Sequence, residues 1–180
     1  SRLAQGAYSA IEAIDRDEVI LTNEELFDAD MLSLDKEHLQ SIIENAPSII
    51  KSIIGHIKNK QVEQEVIRIL FVGPPGNGKT TLAQAIAQEC NRPCHFIRAS
   101  AIGDTYQFSR ERDLKKLFAY IRCNPNAVIV IDEIDAIKDH ENEPNRTAEV
   151  LQSIIDVCNK RYPNVAFIAT TNDKKLIPPA

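Results

Sequence analysis

The chain has 180 residues, 43% hydrophobic and 26% charged, with 6 glycines and 9 prolines, a composition that excludes disordered, collagen-like and low-complexity classes and suits one globular domain with at most a short appendage. The net charge of −5 gives no chain-wide electrostatic footprint for nucleic acid or an anionic membrane. The 4 cysteines form no CxxC pair and have no histidine at zinc-ligand spacing, and no apolar run approaches the ~18 residues that span a bilayer, so the chain is expected to be cytoplasmic, with buried reduced thiols and no membrane segment.

Along the chain, apolar residues recur at helical spacing over residues 3–14, until Asp15, Arg16 and Asp17 end the pattern with charge. Residues 19–22 read as a short strand, followed by an acidic stretch in which Asn23, Glu24 and Glu25 suit a helix start. Residues 1–36 are therefore read as an N-terminal appendage and residues 37–180 as the main domain. Over residues 39–57 isoleucines recur every three or four positions and Pro47 interrupts them. Two helices are expected there, the second with Pro47 in its first turn, packed on one face of a sheet. The period then changes: residues 66–72 are short, β-rich and mostly apolar, the pattern of a strand buried on both faces. Runs at 95–97, 127–131 and 165–170 repeat it, with helical patterns at 80–90, 110–122 and 147–161 between them. Strands alternating with helices predict an α/β fold with a parallel sheet.

Directly after the first strand stands Gly73-Pro74-Pro75-Gly76-Asn77-Gly78-Lys79-Thr80, a complete match to GxxxxGK[ST] in the strand–loop–helix context that it requires. Glycines let the backbone turn back and aim successive N–H groups at phosphate oxygens, and the helix that follows adds the positive end of its dipole. Lys79 is expected to reach the β- and γ-phosphates and the Thr80 hydroxyl to ligate Mg²⁺, with Thr81 completing the cofactor-binding stretch. A plain glycine-rich turn needs neither Lys nor Thr at those offsets.

The apolar run 128–131 ends in Asp132-Glu133, placing two carboxylates at the C-terminal edge of the sheet, where open α/β sheets bind ligands. Asp132 is expected to hold Mg²⁺ through water, and Glu133 to orient and polarise an attacking water. The plainer alternative is a solvated turn with helix-capping acids; for Asp135, capping the next helix is the favoured reading. The last strand delivers Thr171 and Asn172 to the same edge. The Asn172 amide could hydrogen-bond both the γ-phosphate and the water, although Asn is also an ordinary turn residue.

These elements, in this order, resemble the AAA+ ATPase family over residues 49–180. The stretches GPPGNGKTTLAQAIA, VIVIDEID and FIATTNDKKLIPPA look like the Walker A, Walker B and second region of homology of its AAA clade, the ring-forming protein remodellers and protease-linked unfoldases. The resemblance implies a three-layer αβα P-loop NTPase sandwich that binds ATP and Mg²⁺ and releases ADP. Lys79, Glu133 and Asn172 take the catalytic roles, with Glu133 as the catalytic glutamate, Asn172 as sensor 1 and Asp132 as the magnesium aspartate. It further implies a homo-oligomeric ring and a polypeptide substrate gripped by a pore-loop aromatic, for which Tyr106 is the candidate; Tyr106 and Phe108 packing back onto the domain is the alternative. Residues 139–144 stand where the family has a second pore loop, though they read equally as a solvated turn.

Several positions depart from the family pattern. Asn77 replaces the commoner Thr, Asp173-Lys174-Lys175 replaces Arg-Pro-Asp, the first pore loop is shorter and lacks its Gly, and the Ile-Gly adenine contact has no counterpart. The arginine finger, fifth strand and lid follow the LIPPA-like segment in the family. The chain, which opens on Ser1-Arg2 and ends at Ala180, is therefore expected to be a piece of a longer protein, weakly active and monomeric alone, with a sheet edge open unless residues 19–22 or a neighbour cover it. Three rival readings remain. A loader acting on nucleic acid is disfavoured by the acidic charge, and a P-loop metabolite kinase by the Asp132-Glu133 and Asn172 set and the lack of an arginine-rich lid. A non-catalytic nucleotide switch is disfavoured by the intact Lys79, Thr80, Asp132 and Glu133.

Overall fold

The central strand explains the layering. In β3 (Val128–Asp132) four consecutive apolar residues are buried, and alternation sends Ile129 and Ile131 into one core and Val128 and Val130 into another. A sheet buried on both faces needs a helical layer on each side. The computed structural model describes residues 2–16, 35–60, 65–100, 107–136 and 146–173. Among these residues, β1 (Ile67–Val72), β2 (Cys94–Arg98), β3 and β4 (Ala166–Thr171) form one parallel sheet in the order β1-β4-β3-β2. Ile67 and Val128 both stand opposite Ala166, so the strands start level, and their C-terminal ends open on one edge of the sheet.

The α-helices among the described residues are α1 (Arg2–Arg16), α2 (Lys36–Glu44), α3 (Ser48–Lys58), α4 (Lys79–Glu89), α5 (Gln107–Cys123) and α6 (Arg146–Arg161). On one face, Leu39, Ile43, Ile54, Ile57 and Ile86 of α2, α3 and α4 pack against Val128, Val130 and Ile168. On the other, Ile11 of α1, Leu117 and Phe118 of α5 and Ile154 of α6 pack against Ile129, Ile131 and Phe167. Each such side chain contributes roughly 1.5–3 kcal/mol on burial. Strands joined by crossover helices, with the 39–57 helices on one face, match the sequence expectation.

Three local expectations are corrected. Residues 66–72 do not form a strand buried on both faces: among the described residues β1 lies at the edge of the sheet, with Arg68 exposed and Leu70 39% exposed. Its inward residues Ile67, Ile69 and Phe71 share the core of α2, α3 and α4, while the opposite layer leaves its other face open. Pro47 precedes α3 as its N-cap, with φ −56° and ψ 155°, so its extended backbone stands outside the first turn. The thiols are not uniformly buried: Cys94 and Cys158 are, whereas Cys123, at the end of α5, is exposed.

Asp15 ends α1, but not as a solvated terminator. Its side chain is fully buried and accepts hydrogen bonds from Arg122, Arg161 and the Tyr162 hydroxyl, while Arg122 also donates to its carbonyl at 2.5 Å. A buried carboxylate needs such partners, and these join α1 to the ends of α5 and α6. The expected strand at 19–22 and the acidic stretch after it lie outside the described residues. Among the described residues, no helix is long and apolar enough to cross a membrane.

Candidate active site

At the C-terminal end of β1 the chain turns into the loop 73–78, whose base is tied to β4 by the Gly73 N–H donating to the Thr171 carbonyl at 3.1 Å. Gly76 and Gly78 have φ of 79° and 75°, a left-handed backbone that a side chain would strain. Their turns bring the chain back so that α4 starts at Lys79, and no side chain caps its N-terminus. An uncapped helix start at the exposed end of a turned-back loop leaves backbone N–H groups available to an anion.

Lys79 Nζ donates to the carbonyls of Gly73 at 2.7 Å and Pro74 at 2.9 Å and to Asn172 Oδ1 at 2.9 Å, which uses all three ammonium protons. Asn172, just beyond β4, is held in turn by Asp135, whose Oδ1 accepts the Asn172 N–H at 3.1 Å. Burial pushes the Asp135 carboxyl up, but hydrogen bonds from the Asn172 N–H, the Thr171 hydroxyl and its own N–H, with the Lys79 charge, outweigh this and hold it below the usual carboxylate range. Asp135 lies in a 3₁₀ turn, Ile134–Ala136, so its observed partner is the β4 end and not the start of a following α-helix.

Across the site, Thr80 Oγ1 donates to Asp132 Oδ1 at 2.8 Å, and Thr170 Oγ1 donates to the same oxygen at 2.5 Å. Glu133 follows with an exposed side chain and φ of 55°, a left-handed conformation uncommon for a residue with a Cβ. Its N–H donates to Thr170 Oγ1 at 3.0 Å. Lys79, Thr80, Asp132, Glu133 and Asn172 thus meet at the C-terminal ends of β1, β3 and β4, and Thr81 sits half-buried in the first turn of α4. Tyr106 and residues 139–144 lie outside the described residues.

Of this constellation, Thr170 was missed in the sequence, and Asp135 was read as a helix cap where its observed partner is the Asn172 N–H. The only signal for Thr170 was a hydroxyl near the end of an otherwise apolar strand; for Asp135 it was a third acid after Asp132-Glu133. The donor set suits a phosphate-bound Mg²⁺, since the Thr80 hydroxyl and the Asp132 carboxylate are hard oxygen donors adjacent to each other, and Thr80 directly follows the loop 73–78 and Lys79.

Residues 69–180 match the family described as "ATPase family associated with various cellular activities (AAA)". Over 145 residues the chain is 30% identical to the ATP-dependent zinc metalloprotease FtsH of Mycoplasmopsis synoviae, covering 73% of this chain and 22% of that protein. It is 34% identical over 121 residues to 26S proteasome regulatory subunit 10B of Dictyostelium discoideum, covering 62% of this chain and 30% of that protein. To spastin of Ixodes scapularis it is 32% identical over 131 residues, covering 60% and 20%. The chain therefore spans less than a third of the length of these relatives. The crystal structure of the FIGL-1 AAA domain in complex with ADP superposes with a TM-score of 0.56 at 22% identity, covering 81% of this chain and 57% of that one, a likeness of fold. With the phosphate-loop sequence, the parallel αβα architecture and a family match over residues 69–180, the chain belongs to the AAA family of ATPases.

Proposed function

We propose that this chain binds ATP with Mg²⁺ at the loop 73–78 and hydrolyses it to ADP, and that the whole protein uses the energy to remodel, unfold or translocate a polypeptide. The observation that carries the reading is the hydrogen bond between Lys79 and Asn172 at 2.9 Å, which joins the phosphate loop to the β4 end. In this reading Lys79 exchanges its three oxygen acceptors for phosphate oxygens, and the uncapped N–H groups of α4 receive the remaining phosphate charge. Thr80 and Asp132 would hold Mg²⁺, which supplies charge neutralisation on the β- and γ-phosphates when bound. Glu133 orients and polarises the attacking water as general base, and the Asn172 amide, released from Lys79, positions that water and the γ-phosphate.

The polypeptide substrate is supported by the names of the relatives, an ATP-dependent metalloprotease and a proteasome regulatory subunit. Tyr106 is the residue proposed to touch that substrate, the assembly proposed is a homo-oligomeric ring, and the location proposed is cytoplasmic. Calorimetric titration with ATP, with and without Mg²⁺, tests the site: Mg²⁺-dependent binding supports it, and no binding at millimolar ATP overturns it. Steady-state turnover then separates the substrates. Stimulation by an unfolded polypeptide supports remodelling, whereas stimulation by DNA that fades with salt favours the nucleic-acid reading.

A further inference from the structure

We propose that Thr170 is a positioning residue for hydrolysis, holding the Asp132 carboxylate and the Glu133 peptide in one fixed relation. This inference rests on the ATP·Mg²⁺ reading of the site. Thr170 lies on β4, one residue beyond Ala169, which pairs with Ile131 of β3, so it stands beside the end of the strand that carries Asp132. Its single hydroxyl proton goes to Asp132 Oδ1 at 2.5 Å, and its lone pair accepts the Glu133 N–H at 3.0 Å. A hydroxyl can bridge an acceptor and a donor in this way; the apolar side chains of β4, residues 166–169, cannot.

Three features make the bridge more than a strand-end contact. Thr170 is 1% exposed, so its hydroxyl is committed to these two protein partners and not to bulk water. Glu133 is held at φ 55°, a conformation that a non-glycine residue keeps only when its surroundings enforce it, and its N–H is the backbone group that Thr170 secures. Thr170 also stands two residues before Asn172, which receives Lys79. The end of β4 and the residue just beyond it therefore set the proposed metal aspartate, the proposed base and the proposed sensor relative to one another. The phosphate-loop contacts of Lys79 do not pass through Thr170, which predicts a loss in turnover and Mg²⁺ response with little loss in ATP binding itself.

The test compares the wild-type chain with Thr170→Val, which keeps the branched shape and removes the hydroxyl, and Thr170→Ser, which keeps the hydroxyl. ATP affinity with and without Mg²⁺ is read by calorimetry, turnover by steady-state kinetics and folding by thermal melting. Thr170→Val is expected to lower kcat and the Mg²⁺-induced gain in ATP affinity, each by about 10–100-fold, the usual effect of removing a partner that orients a metal ligand. Affinity for ATP without Mg²⁺ should stay within about 3-fold, and Thr170→Ser should recover most of both losses. Unchanged kcat and Mg²⁺ response in Thr170→Val overturns the assignment, as does a Thr170→Ser variant as impaired as Thr170→Val, which would mark a packing role. A wild-type chain without Mg²⁺-dependent ATP binding would instead overturn the nucleotide reading itself, a result distinct from normal wild-type binding with a silent Thr170→Val.

Discussion

Lys79 is the residue on which the site converges, because its three hydrogen bonds link both ends of the loop base to β4. In the proposed reading its charge meets the phosphates, and each charge-assisted bond lost contributes ~1.5–3 kcal/mol. Lys79→Ala is therefore expected to weaken ATP binding by at least ~100-fold, and an unchanged dissociation constant by calorimetry would remove the phosphate-loop assignment. The two carboxylates at the end of β3 should part company. Glu133→Gln keeps the exposed side chain's shape and removes the base, so ATP binding persists while turnover falls by ~10²–10⁴-fold. Asp132→Asn alters the acceptor of Thr80 and Thr170 and should reduce the Mg²⁺-dependent part of binding as well. Equal binding loss in both variants, in paired titrations and turnover assays, would defeat this division of roles. Lys79, Thr80, Asp132 and Asn172 were legible in the sequence because each follows a recognisable strand or motif, but Thr170 was not, since a threonine in a strand has an ordinary explanation in β-propensity.

At the level of elements, α1 is joined to α5 and α6 by the buried Asp15 carboxylate and its two arginines and tyrosine. Removing one partner of a buried ion pair costs ~3–5 kcal/mol; both arginines are about 30% exposed and can rehydrate, which lowers the figure. Asp15→Ala should thus destabilise the fold by ~2–3 kcal/mol, read as a lower urea midpoint, and a midpoint within error of wild type would show that α1 contributes little. A second element-level prediction concerns β2 and α5, where His95 stacks on Tyr120 with ring centroids 4.5 Å apart and Nδ1 has no hydrogen-bond partner. Burial pushes the His95 imidazole down from 6.5 to about 4. Between these values the unfolded chain binds a proton that the folded chain does not, so this contribution is complete above pH 6.5 and is lost as pH falls towards 4. At ~1.4 kcal/mol per pKa unit the loss between pH 6.5 and pH 4.5 is roughly 3 kcal/mol. His95→Phe keeps the stack and removes the titration, so its urea midpoint should fall less than that of wild type between pH 7.5 and pH 4.5. Parallel pH dependence in the two proteins would disprove the role of His95.

For the whole molecule, the sheet order among the described residues puts β1 at an edge with Leu70 39% exposed, and a strand edge is a site of contact with further chain. The proposed ring gives a further expectation: where a neighbouring protomer contributes an arginine finger, worth ~10³–10⁵ in rate, turnover per protomer rises with protein concentration. Steady-state ATPase rates across a dilution series, alongside sedimentation, check this for the 180-residue chain and for one extended as in its longer relatives. Rates flat with concentration in both, and equal between them, would mean that the site works without a neighbour.

By itself the sequence determined the alternation of strands and helices, the glycine-turned loop at 73–78 and the place of the Asp132-Glu133 pair at a strand end, because periodicity, glycine turns and motif spacing are written in neighbouring residues. Only the tertiary structure decided that β1 lies at the edge of the sheet among the described residues, that Asp15 is buried, and that Thr170 and Asp135 hold Asp132 and Asn172. Local pattern reports how apolar a segment is, not which strand will lie beside it. The bonds of Thr170 to Asp132 and of Asp135 to Asn172 join residues 38 and 37 positions apart, and they exist because the order β1-β4-β3-β2 sets the ends of β3 and β4 side by side.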